Sequence, residues 1–369
     1  MRLAIITMFR LNNYGSVLQA FATQQVIKRM GIESDIVDYK YPNEYQYKRG
    51  FKRPSKTSLK YKIAKILGIR EFLSKIVKSF ISQYIQSTHF FTTKDEILKD
   101  LPIYDIYLVG SDQVWNPRFM KGDDVFLLSF APSDKKKISY SSSFACNSIA
   151  DQYIDSYKEW LSKFSAISVR EKQGVHLIKE LTGKDVTVTL DPTLLLNKEE
   201  WLVFSNQKPF KSKKNYILLY MLGYAFDPSP DIYNLLKYYQ EKYDYKVISF
   251  TPIPKQYSIK NVKILYRTDF FDFLHYFANA SLVITSSLHG TAFALNFGKP
   301  LISVVNDKNK LSDDRQCSIL ESLNLESCVF YKESAIDSVN PYYDKIEEQK
   351  NLQQMRDASI SYLKRAIFN

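Results

Sequence analysis

Short apolar runs rich in β-branched residues alternate along the chain with segments in which apolar residues recur every three or four positions. The first such series is residues 3–8, 15–31 and 34–39, and a second is 282–285, 291–298 and 301–305. The short runs predict strands and the longer segments predict helices. Each series therefore has the pattern of a strand–helix–strand unit with parallel strands.

The same alternation continues through both halves of the chain. Further strands are predicted at residues 104–109, 138–144, 167–171, 186–190, 216–222 and 246–251, and further helices at 172–182, 232–242, 270–279, 316–323 and 344–368. This order predicts an α/β fold with two Rossmann-like doubly wound domains that face each other across a cleft. We place them at residues 1–195 and 196–343, with a linker at 194–201, and expect the terminal helix at 344–369 to pack back on the first domain.

The charge distribution adds a basic helical insertion at about residues 45–98. The net charge is +12, and residues 48–78 contain eleven basic residues and a single acid, Glu71. Basic residues interleaved with helically spaced apolar ones suit a helix on an anionic membrane surface. The alternative, which we favour, is an insertion packed on its own domain with a solvated basic face. Since the segment lacks a nucleic-acid-binding motif, we expect no nucleic-acid partner.

Other sequence features exclude several classes of protein. Cys146, Cys317 and Cys328 form no paired framework, which indicates a reducing compartment. Arg10 interrupts the first apolar run, so we expect no signal peptide. The chain has no GxGxxG motif and no Asp-x-Asp pair, so we expect neither a dinucleotide cofactor nor a metal. The protein is predicted to be cytoplasmic, with peripheral membrane contact if the insertion binds lipid.

His289 stands in the turn between the strand at 282–285 and the helix that follows. Such turns lie at the carboxyl ends of parallel strands, where α/β sheets bind ligands, and the free N–H groups of the next helix favour an anion. Imidazole titrates near neutrality, so we expect His289 to act in acid/base catalysis. The other residues of this turn that we expect to contact the ligand are Ser286, Ser287, Leu288 and Gly290.

Polar residues also follow the strand at 104–109. We expect Asp112 to act as a base, and Gln113 and Trp115 to contact a polar ligand such as a sugar. At the start of the first helix, Asn12, Asn13, Tyr14 and Gly15 suit neutral hydroxyls or a phosphate. The alternative is that Asn and Gly only shape the turn.

Arg170 stands where a predicted strand meets a helix N-terminus. A guanidinium at this place can hold a carboxylate or phosphate through two parallel hydrogen bonds. The alternative is an ion pair with Glu171 or Asp191.

Five segments in register resemble the polysaccharide pyruvyl transferase family. They are NNYGSVLQ at 12–19, GSDQVWNP at 110–117, SVRE at 168–171, LDPT at 190–193 and SLHGT at 287–291, with FGKP at 297–300. The resemblance implies a fold like that of the GT-B glycosyltransferases, phosphoenolpyruvate as the donor substrate and a sugar hydroxyl pair as the acceptor. It also implies that His289 and Arg170 take part in donor binding and catalysis.

One position departs from the family pattern. Some members have an arginine two residues before the glycine next to the histidine, where this chain has Leu288 or, shifted by one, Ser287. Neither side chain replaces a cation, and we expect Lys299 or Arg315 to compensate.

The sequence thus favours a pyruvyltransferase that forms a pyruvate ketal on a hexose, with galactose as the leading candidate, in a lipid-linked capsule or surface polysaccharide intermediate. Two alternatives stay open. One is a metal-independent GT-B glycosyltransferase that uses a nucleotide sugar. The other is a non-catalytic glycan-binding protein.

Overall fold

The structure is a computed structural model that describes residues 1–41, 69–210, 215–222, 226–306 and 314–369. The first half contains strands β1 (Arg2–Ile6), β2 (Glu33–Tyr39), β3 (Ser87–Phe91), β4 (Ile106–Val109), β5 (Lys136–Ser139), β6 (Ser168–Val169) and β7 (Thr187–Val188). Its helices are α1 (Tyr14–Arg29), α2 (Ile69–Tyr84), α3 (Lys94–Asp100), α4 (Pro117–Met120), α5 (Asp151–Ser162), α6 (Lys172–Thr182), α7 (Pro192–Leu195) and α8 (Lys198–Ser205).

The second half repeats the alternation. Its strands are β8 (Tyr216–Tyr220), β9 (Lys246–Ser249), β10 (Val262–Ile264), β11 (Leu282–Thr285), β12 (Leu301–Val305) and β13 (Val329–Tyr331). Its helices are α9 (Asp231–Tyr243), α10 (Phe270–Ala278), α11 (Leu288–Asn296), α12 (Arg315–Ser322) and α13 (Lys345–Phe368). Short 3₁₀ turns lie at Asp124–Leu127, Lys255–Tyr257, Glu326–Cys328 and Ile336–Ser338.

Each half forms one parallel sheet with a reversal of strand order near its centre. The first sheet has the order β3-β2-β1-β4-β5, and the second has β10-β9-β8-β11-β12-β13. Bridges from Ile138 to Ala166 and from Ser142 to Val169 attach β6 and β7 to the first sheet. Ligands of such sheets bind at the carboxyl ends of the strands where the order reverses. These places are β1/β4 in one domain and β8/β11 in the other.

The central strands are buried along their whole length because helices cover both faces of each sheet. All residues of β4, β8, β11 and β12 are buried. Uniform burial is typical of parallel strands between two helical layers. The structure therefore confirms the predicted fold class of two Rossmann-like domains.

The segment at 194–201 differs from the predicted linker because it is helical and buried. Asn197 and Glu200 form a capping box that starts α8, and such reciprocal capping specifies a helix start. Trp201 is completely buried, and its indole N–H donates to the carbonyl of Thr193 at 2.9 Å. The connection between the domains is thus part of the core. The prediction also missed β3, β10 and β13, which are short strands at or next to the sheet edges.

Residues 42–68, which include most of the basic stretch, lie outside the described residues. Helix α2 also belongs to the insertion and is described. Its residues Val77, Phe80 and Ile81 are buried, and the ring of Phe80 lies 5.8 Å from that of Phe21 and 4.1 Å from that of Phe270. The apolar face of α2 thus packs on its own domain, as in the alternative that we favoured, and it contacts the second domain as well. Among the described helices, none is both long and apolar enough to cross a membrane.

Helix α13 leaves the second domain and reaches the first. Near its start, the Gln349 amide donates to the carbonyl of Leu295 at 2.9 Å. Near its end, the Tyr362 hydroxyl donates to the carbonyl of Ser139 at 3.0 Å. The helix therefore ties the two domains together on the side of β5.

Tyr14 ties the domains together on the side of α1. Its ring stacks on Phe273 at 4.6 Å and meets Phe270 edge-on at 5.3 Å. Its hydroxyl donates to the carbonyl of Thr268 at 2.9 Å, and burial raises the pKa of Tyr14 to about 12. The first residue of α1 is thus inserted into an aromatic cluster of the second domain.

Replacing Tyr14 by alanine removes this buried ring, and we expect the free energy of unfolding to fall by about 3–5 kcal/mol. Tyr14→Phe keeps the ring and loses only the hydroxyl donor, so we expect a loss of about 1 kcal/mol. Urea unfolding measures both values. Equal losses in the two variants would contradict aromatic packing as the main contribution.

Candidate active site

Four strand ends bring charged side chains together between the domains. Asp112 follows β4, Arg170 follows β6 and Asp191 follows β7, all in the first domain, whereas His289 follows β11 in the second. Each of these side chains is at least nine-tenths buried. The group lies where the carboxyl edges of the two sheets face each other, which is the place that the fold predisposes for a ligand.

The Asp191 carboxylate is at the centre of this group. Oδ2 accepts a hydrogen bond from Arg170 Nη1 at 2.8 Å and from Ser111 Oγ at 2.9 Å. Oδ1 accepts from the backbone N–H and the hydroxyl of Thr193 at 3.0 and 2.7 Å. His289 Nε2 lies 3.7 Å from Oδ2, within ion-pair range but too far for a hydrogen bond.

The electrostatic surroundings keep Asp191 ionised. Burial alone would raise its pKa, but the neighbouring His289 and Arg170 side chains and the hydrogen bond from the Thr193 backbone outweigh burial and hold the pKa well below its usual range. Stability from these pairings is therefore present at neutral pH and is lost only as the pH falls through the strongly acidic range.

Arg170 has one edge engaged and the other available. Its Nη1 binds Asp191, while Nε and Nη2 are buried and have no hydrogen-bond partner among the described residues. Asp112 Oδ1 lies 3.8 Å from Nη2. Nε and Nη2 form the side of a guanidinium that binds a carboxylate or phosphate through two parallel hydrogen bonds. A buried donor pair of this kind has the geometry to bind an anionic ligand.

The His289 ring faces the first turn of α1. Its Nε2 is buried and lacks a hydrogen-bond partner within the described part of the chain. A methyl group added at Gly15 would overlap the imidazole ring, so only glycine allows the two helix N-termini to approach this closely. The positive ends of α1 and α11 therefore lie on opposite sides of the same site, and both favour an anion.

Asp112 is held in an uncommon backbone conformation. Its φ is +73°, in the left-handed region that costs a non-glycine residue energy and that is frequent at functional sites. Its carboxylate accepts from the hydroxyl of Ser16 at 2.6 Å and from the N–H of Gln113 at 2.8 Å. The carboxylate is thereby aimed at Arg170.

The comparisons with known proteins agree with this geometry. A family model described as polysaccharide pyruvyl transferase matches residues 13–308, which include all four charged residues of the site. The chain belongs to the polysaccharide pyruvyl transferase family. This is a family of transferases that act on polysaccharides. A comparison with curated proteins finds no match.

Solved structures resemble the chain in fold. A co-structure of S. aureus MnaA with UDP has a TM-score of 0.53 at 12% identity and covers 100% of this chain and 98% of that chain. The UDP-GlcNAc 2-epimerase of Methanocaldococcus jannaschii has a TM-score of 0.50 at 14% identity, with 97% and 93% covered. At these identities the likeness establishes the GT-B-like fold and nothing about the substrate.

The turn before α11 holds His289 in place mainly through its own hydrogen bonds. Ser287 is the N-cap and accepts from the N–H of Gly290 at 3.4 Å. Ser286 Oγ accepts from the N–H of Leu222 at 3.2 Å, across to the end of β8. A methyl group at Gly290 would overlap Thr285. These residues, which we expected to contact the ligand, thus have structural partners in this turn.

Two predicted ligand contacts are instead core residues. Trp115 is completely buried, its indole N–H donates to the carbonyl of Phe126 at 3.0 Å, and its ring packs on Phe144. Tyr14 lies in the interdomain aromatic cluster. Both predictions are corrected because large aromatic rings with an internal hydrogen-bond partner are ordinary packing residues.

Asn13 and Gln113 lie at the edges of the site. The Asn13 side chain caps α1 by accepting from the N–H of Gly15 at 3.0 Å. Gln113 Oε1 accepts from the Asn116 amide at 2.9 Å, and its N–H binds Asp112. Both residues shape the loops that carry Gly15 and Asp112.

The two cations that we expected to replace the missing arginine lie in different parts of the fold. Lys299 follows the carboxyl end of α11, a helix of nine residues that is about 13 Å long, so it lies far from His289. Arg315 lines a small cavity of about 20 Å³ together with Arg170 and Leu288. Of the two candidates, Arg315 lies beside the site and Lys299 does not.

Asp191 was not among the predicted site residues, and Gly15 and Ser111 were included only as members of two candidate segments, the start of α1 and the loop after β4. Asp191 appeared only as a partner for Arg170, although its strand-end position and the LDPT segment pointed to it. Ser111 precedes Asp112 in the loop after β4. Gly15 was considered for its place at a helix N-terminus, but its role in leaving room for His289 has no chemical signal in the sequence.

Glu171, beside Arg170, is a second buried carboxyl. Its Oε1 accepts from the N–H groups of Phe144 and Ala145 at 2.9 and 3.1 Å, and Oε2 has no partner among the described residues. Burial raises the pKa of Glu171 to about 7, Asp314 adds to the increase, and Arg170 opposes it. The carboxyl thus joins the loop after β5 to the loop after β6.

This pKa predicts a pH dependence of stability. Because Glu171 binds its proton more tightly in the folded state, the free energy of unfolding should fall as the pH rises from about 4.5 to about 7. Glu171→Gln keeps the acceptor oxygen and cannot ionise, so melting temperatures between about pH 5 and 8 should decline less than in the wild type.

Glu348 on α13 provides a parallel variant, since burial raises its pKa to about 7 as well. Glu348→Gln should reduce the slope in the same direction. If neither variant changes the slope of melting temperature against pH, the buried carboxyls are not its source.

Proposed function

We propose that this protein transfers the enolpyruvyl group of phosphoenolpyruvate to a hydroxyl pair of a hexose and so forms a pyruvate ketal. Galactose in a lipid-linked intermediate of a capsular or other surface polysaccharide is the expected acceptor. The family of the chain supports pyruvyl transfer to a polysaccharide. The observation that supports an anionic donor is the buried, unsatisfied edge of Arg170 opposite His289.

The proposed reaction balances without an added oxidant or reductant. Two acceptor hydroxyl oxygens form bonds to C2 of phosphoenolpyruvate, and the bond from C2 to the phosphate oxygen breaks. One hydroxyl proton ends on C3, which becomes a methyl group, and the other leaves with the phosphate. The protein must therefore deliver one proton to carbon and remove protons from oxygen. No resident cofactor is required by this scheme.

Arg170 is the proposed anchor of the donor. A carboxylate or phosphate that accepts from Nε and Nη2 would satisfy both buried donors at once. Asp191 holds the opposite edge of the guanidinium at 2.8 Å and so fixes its orientation. Arg315, on the cavity shared with Arg170, is the proposed further cation for the phosphate.

His289 and Asp112 are the proposed acid/base pair. The unpartnered Nε2 of His289 suits proton transfer to or from the reacting atoms, and Asp191 at 3.7 Å stabilises the imidazolium that forms. Asp112, with one oxygen held by Ser16, is the proposed acceptor of a hydroxyl proton. The two residues come from different domains, so the reaction requires the cleft to be closed.

The site of reaction in the cell is part of the proposal. A lipid-linked acceptor would bring the protein to the inner face of the membrane, and we place the reaction on the cytoplasmic side. Because α2 packs on the protein itself, any direct membrane contact would have to involve other parts of the basic insertion.

Purified protein supplied with phosphoenolpyruvate and galactose-containing acceptors should release phosphate and form a ketal detectable by mass spectrometry. His289→Ala should lower kcat by about 100-fold or more, because it removes acid/base catalysis. Arg170→Lys keeps the charge but loses the two-bond geometry, so KM for phosphoenolpyruvate should rise about tenfold. Lys299→Ala is the matched control and should leave both parameters unchanged.

Other outcomes would favour the alternatives. Thermal stabilisation by UDP or a nucleotide sugar, and none by phosphoenolpyruvate, would indicate a glycosyltransferase. Sugar binding without donor binding would indicate a glycan-binding protein. Phosphate release that needs no acceptor and survives His289→Ala would contradict the proposed reaction.

Gly15→Ala tests the contact between α1 and His289. The added methyl group forces the imidazole to move, and a displacement of about 1 Å can cost about 100-fold in rate. We expect kcat to fall at least tenfold and the melting temperature to fall as well, because the overlap lies in a buried contact. An unchanged kcat would show that the position of this ring does not matter.

A further inference from the structure

Helix α11 carries two polar side chains on one face, seven residues apart. His289 lies in its first turn and Asn296 is its last residue. Seven residues are almost two full turns, so the two side chains point to the same side at a separation of about 10 Å along the axis. Both residues face the segment that carries Asp191.

Asn296 is bound to the carbonyl groups of that segment. Its Nδ2 donates to the carbonyl of Thr193 at 2.9 Å and to that of Leu196 at 2.8 Å. Asn296 is completely buried. All the hydrogens of its amide nitrogen are therefore used to hold helix α7, which Asp191 starts as its N-cap.

Arg356 of α13 completes the contact from the other side. Its Nε donates to the carbonyl of Leu194 at 2.6 Å, and its Nη2 donates to Oδ1 of Asn296 at 2.9 Å. Arg356 is also buried. The amide of Asn296 is thus locked by a guanidinium that binds the same short helix.

Helix α7 depends on these outside partners. It has only four residues, and so short a helix leaves most of its carbonyl groups without a partner of its own. The three carbonyls from residues 193, 194 and 196 are satisfied by Asn296, Arg356 and Trp201. Asp191 lies at the other end of α7, so its position depends on where those carbonyl groups are held.

We propose that Asn296 and Arg356 are positioning residues that set the separation of His289 Nε2 and Asp191 Oδ2. Helix α11 contacts the Asp191 segment at both ends, through His289 at its start and Asn296 at its end. Because the helix is rigid, its length then sets the distance between the His289 imidazole and the Asp191 carboxylate. The effect of this positioning on catalysis rests on the proposed function, whereas its effect on the distance between His289 and Asp191 does not.

A general loss of stability has to be separated from a loss of position. Gln240 offers a matched control, because its buried amide nitrogen also donates to two backbone carbonyls, those of Tyr245 and Lys260 at 3.1 and 2.7 Å. It joins α9 to neighbouring loops of the second domain. Gln240→Ala should therefore lower the melting temperature without affecting His289.

The first measurement needs no substrate. The chain has four histidines, so the ring signals can be followed by NMR with labelled histidine, and His289→Ala assigns the signal of interest. Asn296→Ala should shift the His289 ring signals in the same direction as Asp191→Asn does. Arg356→Lys, which keeps the charge but loses the paired donors, should give a smaller shift, and Gln240→Ala should give none.

The second measurement uses pyruvyl transfer. Asn296→Ala should lower kcat about tenfold and change KM for phosphoenolpyruvate less than threefold. In the Asn296→Ala/Asp191→Asn double variant the losses should not add, because both act on the same pair of groups. Additive losses, or a loss matched by Gln240→Ala at equal melting temperature, would overturn the positioning role.

The two measurements separate the two proposals. If the wild type forms no ketal from phosphoenolpyruvate but Asn296→Ala still shifts the His289 signals, the proposed function fails and the positioning inference stands. If the His289 signals are the same in Asn296→Ala and the wild type, the inference fails whatever the activity.

Discussion

The buried carboxylate of Asp191 is the group on which the rest of the site depends. A carboxylate at 3% exposure costs several kcal/mol unless it is paired and hydrogen-bonded. Its partners come from both domains: Arg170 and Ser111 from strand ends of the first, and His289 from α11 of the second. Because one edge of Arg170 is used for this pairing, the other edge is held still and remains available for an anion.

The two domains also depend on each other for geometry. Tyr14 and Gly15 are consecutive residues at the start of α1. The first anchors the helix in the aromatic cluster of the second domain, and the second leaves room for the imidazole of His289. The contact of α13 with Asn296 and the Asp191 segment acts on the opposite side. The described cleft is thus held from two directions, with the charged groups between them.

The sequence allowed the fold class, most sheet strands and three of the four charged residues at the centre to be placed, with Arg170 and His289 at strand ends. Asp112 was also found, because loops after parallel strands concentrate ligand contacts. Trp115 and Tyr14 were misassigned, since an aromatic residue beside a polar loop has the same local pattern whether it faces a sugar or a core. The roles of Gly15 and Asn296 could not be predicted, because they arise from contacts between segments about 100 or more residues apart in sequence.

The absence of a motif arginine beside His289 has a physical consequence. Leu288 at that place lines a cavity of about 20 Å³, room for about one water, together with apolar residues such as Leu194 and Met355. An apolar wall lowers the local dielectric and strengthens the interaction of Arg170 with any anion at its available edge. It equally strengthens the repulsion between that anion and Asp112, 3.8 Å from the same guanidinium. The charge that offsets this repulsion has to come from outside the turn, and Arg315 lines the same cavity as Arg170 and Leu288.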